Sequence, residues 1–403
     1  FANALSAKYR NSFAYTTIKD RLPVILTKVI DTLHCSRCQF ASTDNPQEGS
    51  IDCVRQAIGH LSELRYKLST DKALANIEDN LNDALMWNNS LSEYRGKYNL
   101  DPTWFTAPWL LCECYFYRKI WEIINTNLPI KDWDPFAKQK EQSWLSTYAT
   151  IESLAKMFNE TMLSFCNCAS LEQARPHIED IVQVCLLFCS LGNKCDLSLS
   201  CGEAVHEAKA LDMLFLKKLE KFILINNMPA LFSYLQRSST KPNSTVDIIL
   251  DNVGLELFAD LCLADTLLQL KLASKDFLLT LNNLNNQQDG NVKLLSSRWS
   301  TFLKNGTFVL TKHTFWTSPY AYYEMRRDLN YRKLVGDLNW PPTTPFEQAL
   351  IGFKPCPILA LRTVKADTVA GLKPGQSEQL TATDPHWMIS GEYGIIQFYD
   401  TAS

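Results

Sequence analysis

Residues 246–265, VDIILDNVGLELFADLCLAD, carry two structural patterns joined by an Asp-Asn pair. Val246, Ile248, Ile249 and Leu250 are β-prone and too few for a helix, which predicts a buried strand of a covered parallel sheet. Gly254 opens the second pattern. Leu255, Phe258, Leu261, Cys262 and Asp265 recur at helical spacing, so the segment reads as strand, tight loop and helix. Asp251 and Asn252 are therefore expected at the carboxyl end of a strand, where open α/β sheets bind ligands.

A carboxylate and an amide carbonyl are hard oxygen ligands, suited to Mg²⁺, Mn²⁺ or a similar ion. The helix N-terminus behind them offers free N–H groups to an anion. Metal plus phosphate is the natural pairing. The same two residues also read as a turn or an N-cap, a role that stabilises a helix by about 0.5 to 2 kcal/mol.

At 403 residues the chain exceeds one ordinary core, and two domains are expected, a helical one over residues 1–190 and an α/β one over 191–403. Its 46% hydrophobic and 21% charged residues fit a soluble globular protein. A net charge of −3 and a pI near 6.1 argue against a general nucleic-acid binder, which needs a basic face. No run approaches the roughly 18 to 20 apolar residues that cross a bilayer. The chain starts at Phe1 without Met, so a missing N-terminal stretch or a removed targeting peptide is compatible with it.

Thirteen cysteines, an odd number scattered through apolar runs, suit reduced buried thiols in a cytosolic protein better than a disulfide framework. His34, Cys35 and Cys38 look like half a zinc site, but no second ligand pair stands at zinc-knuckle spacing. The sequons at Asn88, Asn159, Asn243 and Asn305 are read as chance matches.

The first half is helical in pattern: residues 12–33 with Pro23 near a first turn, 50–68, 71–87, 106–124 behind a Thr-Ala-Pro start, 142–165 and 177–191. The second half changes character. Residues 356–361 read as a strand stopping at Arg362, and residues 393–398 as a final strand with the pattern of an edge. If the first of these runs parallel to 246–250, Arg362 leaves the sheet on the rim that carries Asp251.

Two basic clusters lie in this half, DLNYRK at 328–333 and RTVK at 362–365. Arg offers a planar fork and Lys a point charge, and both suit a phosphate dianion. The plainer reading makes Arg332 and Lys333 solvated surface charges. Asn193 and Asp196 follow an apolar helix and also read as its C-terminal turn, and Glu256 also reads as an acid favoured in a first turn. His313 and His386 are assigned to packing or surface.

Taken in order, SFAYTTIKDRLPVILTKVIDTL, WFTAPWLLCECYFYRKI, GNKCDLSLS, DIILDNVGLELFADLCLAD, KHTFWTSPYAY, DLNYRKLVGDLNW, PFEQALIGF, LRTVKADTVAGLKPGQSEQL and GEYGIIQF resemble the metal-dependent damage-control phosphatases, in the eukaryotic branch marked by an RTxK motif. That family has also been described as an acidic-residue, or protein-glutamate, carboxyl methyltransferase. The resemblance implies an α/β fold with a helical N-terminal domain and a Rossmann-like three-layer core. It also implies a divalent ion, Mn²⁺, Ni²⁺, Co²⁺ or Mg²⁺, held by Asp251, Asn252 and a later Asp. Asp251 and Asn252 would serve catalysis as well. Asp328, Asn330, Arg332 and Lys365 are similar to the family's phosphosugar contacts, with Arg362, Asn193 and Asp196 as further candidates. Glu256 matches a Glu assigned to S-adenosylmethionine.

The expected substrates are sugar phosphates such as fructose 1-phosphate and fructose 6-phosphate. No nucleic-acid or membrane partner is expected, and the cytoplasm, with the nucleus as a second location, is the expected compartment. This chain departs from the family pattern twice. A strand and the third metal-binding Asp are not found before SKDFLLTL, and a helix and strand are not found before DLNYRKL. Two strand segments of the core are therefore expected to be lacking, which opens a third reading, a non-catalytic remnant.

Overall fold

In the computed structural model, which describes residues 3–41, 49–127, 130–166, 171–191, 218–238, 245–250, 252–269, 290–322 and 331–401, helix formation begins at Ser12. Its side chain accepts the Tyr15 N–H and starts the short helix Phe13–Thr16. A π-helical turn, Thr17–Arg21, leads into α1, Leu22–Ala41. Pro23 sits in the first turn of α1, where its missing N–H costs nothing.

The chain divides into two compact units. One comprises Phe1–Lys138, His313–Pro341 and Ala366–Thr368, the other Gln139–Lys312, Pro342–Lys365 and Val369–Ser403. The boundary expected at 190/191 falls within the second unit, because the helices just before it bury their apolar faces against residues further along the chain.

In the first unit α1 packs on α2, Gly49–Ser69, through Leu26, Val29 and Leu33 against Val54, Leu61 and Leu68. Residues 71–83, expected to be helical, are not; α3 runs over Ala84–Tyr98. Side chains replace the helical ladder here. Asn88 accepts the Ile77 N–H at 2.8 Å and donates to the Ile77 carbonyl at 2.9 Å, while Glu122 accepts the Glu78 N–H at 2.6 Å. Helix α4, Trp109–Asn125, starts at Pro108 as its sequence predicts.

The second unit holds α5 (Ala137–Cys166, whose first two residues belong to the other unit), α6 (Leu171–Leu191), β1 (Ile223–Asn226), α7 (Met228–Ser238), α8 (Leu255–Gln269), α9 (Gly290–Lys304), β2 (Ile358–Thr363), α10 (Gln376–Thr383) and β3 (Gly394–Tyr399). Its core joins Phe158 of α5, Leu186 and Phe188 of α6, Phe258 and Leu261 of α8, and Leu295 and Trp299 of α9. Asp265, fully buried on α8, is fixed by Arg298 and by the Trp299 indole N–H at 2.9 Å.

The sheet has the order β1-β3-β2, with β1 parallel and β2 antiparallel to β3. β3 is therefore central, not an edge. Gly394 to Gln397 are all buried, as in a strand covered on both faces. Residues 246–250 form no strand; Val246, Ile248 and Leu250 are half-buried against the core without a ladder partner among the described residues. The expected parallel pairing of 246–250 with β2 accordingly does not occur. The described structure is a helix-rich α/β arrangement with a small mixed sheet, and no described helix is long and apolar enough to cross a membrane.

Candidate metal and phosphate site

The run 246–250 leads to Asp251, which lies outside the described residues, and then to Asn252 and Val253, both exposed. Gly254 takes φ +85°, the left-handed region open to glycine, and its carbonyl accepts the Phe258 N–H at 3.1 Å to begin α8. A Cβ here would stand 3.3 Å from Ser143 Oγ and 3.4 Å from Thr147 Oγ1 of α5, so the loop is pressed against that helix.

Asn252 does not cap the helix with its side chain. Its Nδ2 donates to Glu256 Oε2 at 2.9 Å. This bond turns the amide oxygen away from the Glu256 carboxylate and leaves it available to a cation. The Asn252 amide oxygen is thus a hard donor at the head of α8, of the kind that suits a divalent ion such as Mg²⁺ or Mn²⁺, with Glu256 bonded to the other end of the amide. Among the described residues no group of three His, Cys, Asp or Glu could hold a metal, and Asp251 adjoins this pair in sequence.

One turn beyond Glu256, the buried Asp260 accepts a hydrogen bond from Cys189 Sγ at 3.1 Å. Burial pushes the Cys189 thiol well above its ordinary range, and the charges of Asp260 and Glu256 push it the same way. Cys189 lies in the last turn of α6. The next residue, Ser190, accepts a hydrogen bond on its carbonyl from Thr363 Oγ1 at 3.0 Å. Asn193 and Asp196, which follow α6, lie outside the described residues.

Thr363 ends β2, and alternation sets what its neighbours do. Thr363 pairs with Gly394 and Leu361 with Ile396, on the face that meets α6. Arg362 pairs with Ile395 and Ala360 with Gln397, so the buried Arg362 side chain stands on the opposite face. On that face Gln397 Nε2 donates to the Ala370 carbonyl at 2.9 Å. Lys365, two residues past the strand, is exposed.

Arg332 belongs to the first unit, in the helical turn Tyr331–Leu334. Its Nε and Nη2 donate to the two oxygens of Asp337 at 2.7 and 3.0 Å, its Nη1 donates to Glu113, and its guanidinium lies 3.6 Å over the Trp109 ring. Lys333 is buried, with Nζ donating to the Phe315 and Trp316 carbonyls at 3.1 Å each. The plainer reading of these two as solvated charges is therefore wrong. Asp328 and Asn330 lie outside the described residues. His313 and His386 are exposed, as expected.

The family model for the damage-control phosphatase ARMT1-like domain matches residues 17–380. Damage-control phosphatase ARMT1 of Mus musculus is 38% identical over 444 aligned residues, covering 98% of each chain. The chain belongs to the ARMT1-like damage-control phosphatase family. The relatives of the same name from Xenopus tropicalis and Homo sapiens are each 37% identical, again over 98% of both chains. The family reading taken from DNVGLE, DLNYRK and RTVK thus holds across the chain. The mouse alignment is 444 positions long and takes in 98% of the 403 residues here, so that ARMT1 relative carries about fifty residues, internal to the match, that this chain lacks.

Several residues that hold the candidate side chains, in one unit or the other, escaped sequence reading. Asp260 was visible in principle, four positions after Glu256 on the same helical face. Asp337 stands five residues after Arg332, an arrangement that a helical turn followed by a reversal brings together. Glu113, Trp109 and the contact of Thr363 with Ser190 left no local signal.

Proposed function

We propose that this chain is a metal-dependent phosphatase of metabolite damage control that hydrolyses sugar phosphates such as fructose 1-phosphate and fructose 6-phosphate. The observation that carries the reading is the head of α8, where Glu256 orients the exposed Asn252 so that its amide oxygen is presented beside Asp251 in sequence. A divalent ion held by Asp251 and Asn252 would supply polarisation of the phosphoryl oxygens. Glu256 holds the Asn252 amide in place for that ligand set. Arg362 and Lys365 supply positive charge for the phosphoryl group, with Asn193 and Asp196 as further substrate contacts, and the motif resemblance assigns phosphosugar contacts to Asp328, Asn330 and Arg332.

The test is phosphate release from fructose 1-phosphate and fructose 6-phosphate with added Mn²⁺ or Ni²⁺. Asp251→Ala is expected to lower the rate by more than about a hundredfold, the scale of losing a direct ligand. Equal rates in the two proteins refute the reading.

A second reading, binding without turnover, is supported by the fifty or so residues present in the mouse relative and absent here, and by the run 246–250, which has no ladder partner among the described residues. Under it the protein binds inorganic phosphate in the presence of Mg²⁺ yet releases none from any sugar phosphate.

A further inference from the structure

The last turn of α6 meets three candidate segments at once. Cys189 bonds to Asp260, one turn along the helix that Asn252 and Glu256 open. The Ser190 carbonyl accepts the Thr363 hydroxyl. Gly394, directly opposite Thr363 in the ladder, lets the sheet approach, since a Cβ there would stand 2.7 Å from the Ser190 oxygen and 3.0 Å from Leu191 Cδ2.

Carbonyls in the last turn of a helix have no partner within it, and a buried one without a substitute is costly. Ser190 is fully buried, so the Thr363 hydroxyl stands where water cannot. The same bond sets the end of β2. With Thr363 turned to α6, alternation sends Arg362 to the other face, and Lys365 follows two residues on.

We propose that Thr363 is a positioning residue for the phosphate-binding segment 362–365, locking it to the end of α6 and through Cys189 to the helix that begins at the metal corner. This rests on the proposed function, in which Arg362 and Lys365 take the phosphoryl group. A valine keeps the branched shape of threonine and removes the hydroxyl; a serine keeps the hydroxyl.

The experiment compares wild type, Thr363→Val and Thr363→Ser by calorimetric titration with inorganic phosphate in Mg²⁺ and by kcat and KM on fructose 1-phosphate, with melting curves to verify folding. Loss of one well-placed hydrogen bond predicts that Thr363→Val raises the phosphate Kd and the KM about tenfold, while kcat stays within about twofold. Thr363→Ser should return both to within about twofold of wild type. A folded Thr363→Val protein with wild-type Kd and KM overturns the proposal, as does a loss that serine does not rescue. If Thr363→Val does not fold, Gly394→Ala decides, because it pushes the Ser190 carbonyl away while keeping the hydroxyl; unchanged phosphate affinity in that variant overturns the proposal. Wild-type protein that binds no phosphate overturns instead the functional reading on which the proposal stands.

Discussion

Arg118 and Arg332 sit in the same unit and each meets two carboxylates, yet their surroundings differ. Arg118 is closed in. Four of its five N–H donors are spent on Asp79 and Asp83 at 2.7 to 2.8 Å, and its side chain is 2% exposed. Arg332 spends three donors, on Asp337 and Glu113, and its side chain is 18% exposed with Glu113 at 28%. Asp337 is anchored in turn by the Leu110 N–H at 3.0 Å, so it is the fixed partner, whereas Glu113 is half-buried and the replaceable one. A guanidinium surrounded on all sides holds shape; one with two donors left and an aromatic shelf beneath it keeps the capacity to grip a further anion.

The contrast predicts unequal consequences. Arg118→Met should have the largest effect, leaving two buried carboxylates unpaired and costing about 3 to 5 kcal/mol, read as a shift in urea midpoint. A loss under about 1 kcal/mol would mean that Arg118 is no more than a surface pair. Glu113→Gln should change stability by less than about 1 kcal/mol and tighten phosphate binding a few-fold, because it removes an anion competing for Nη1. Weaker phosphate binding in that variant would show that Glu113 aligns Arg332 and does not compete for it.

The smallest effect concerns Asp367, whose carboxylate accepts the Phe13 N–H. Burial holds its pKa above the ordinary carboxylate range, against the pull of that N–H and of Arg332. The folded state thus binds this proton more tightly than the unfolded chain does. Its contribution to stability is complete below the unfolded pKa and is lost as pH rises through the folded one. Asp367→Asn stays neutral throughout, so its stability relative to wild type should improve as pH rises out of the acid range. Denaturation curves at several pH values check the sign, and a relative decline with rising pH would reverse the assignment.

Much of the architecture was legible because it is locally encoded. Helices α1, α2, α4, α6 and α8 announce themselves by apolar periodicity with cap, Pro and Gly signals, and β2 and β3 by short apolar runs. What escaped is what depends on distant partners. Residues 71–83 have a helical pattern but are drawn into an irregular path by Asn88, Arg118 and Glu122. Residues 246–250 have strand composition, but a strand exists only where a neighbour pairs with it. β1 has four residues, too few for any pattern to register. Asn252 was readable from its place between two patterns and Glu256 from its place in a first turn, whereas the bond between them, and the cradle that joins Arg332 to Glu113 across 219 positions of sequence, were not.

The discontinuous path of the chain also governs how the protein can be dissected. The first unit is stitched from three stretches, and Asp337 O accepts the Leu5 N–H at 2.9 Å while Asp367 receives Phe13 from the far end of the sequence. No single truncation therefore releases either half whole. A fragment stopping after α4 would forfeit its own closing staples, and domain-by-domain expression would require circular permutation or co-expression of separated pieces.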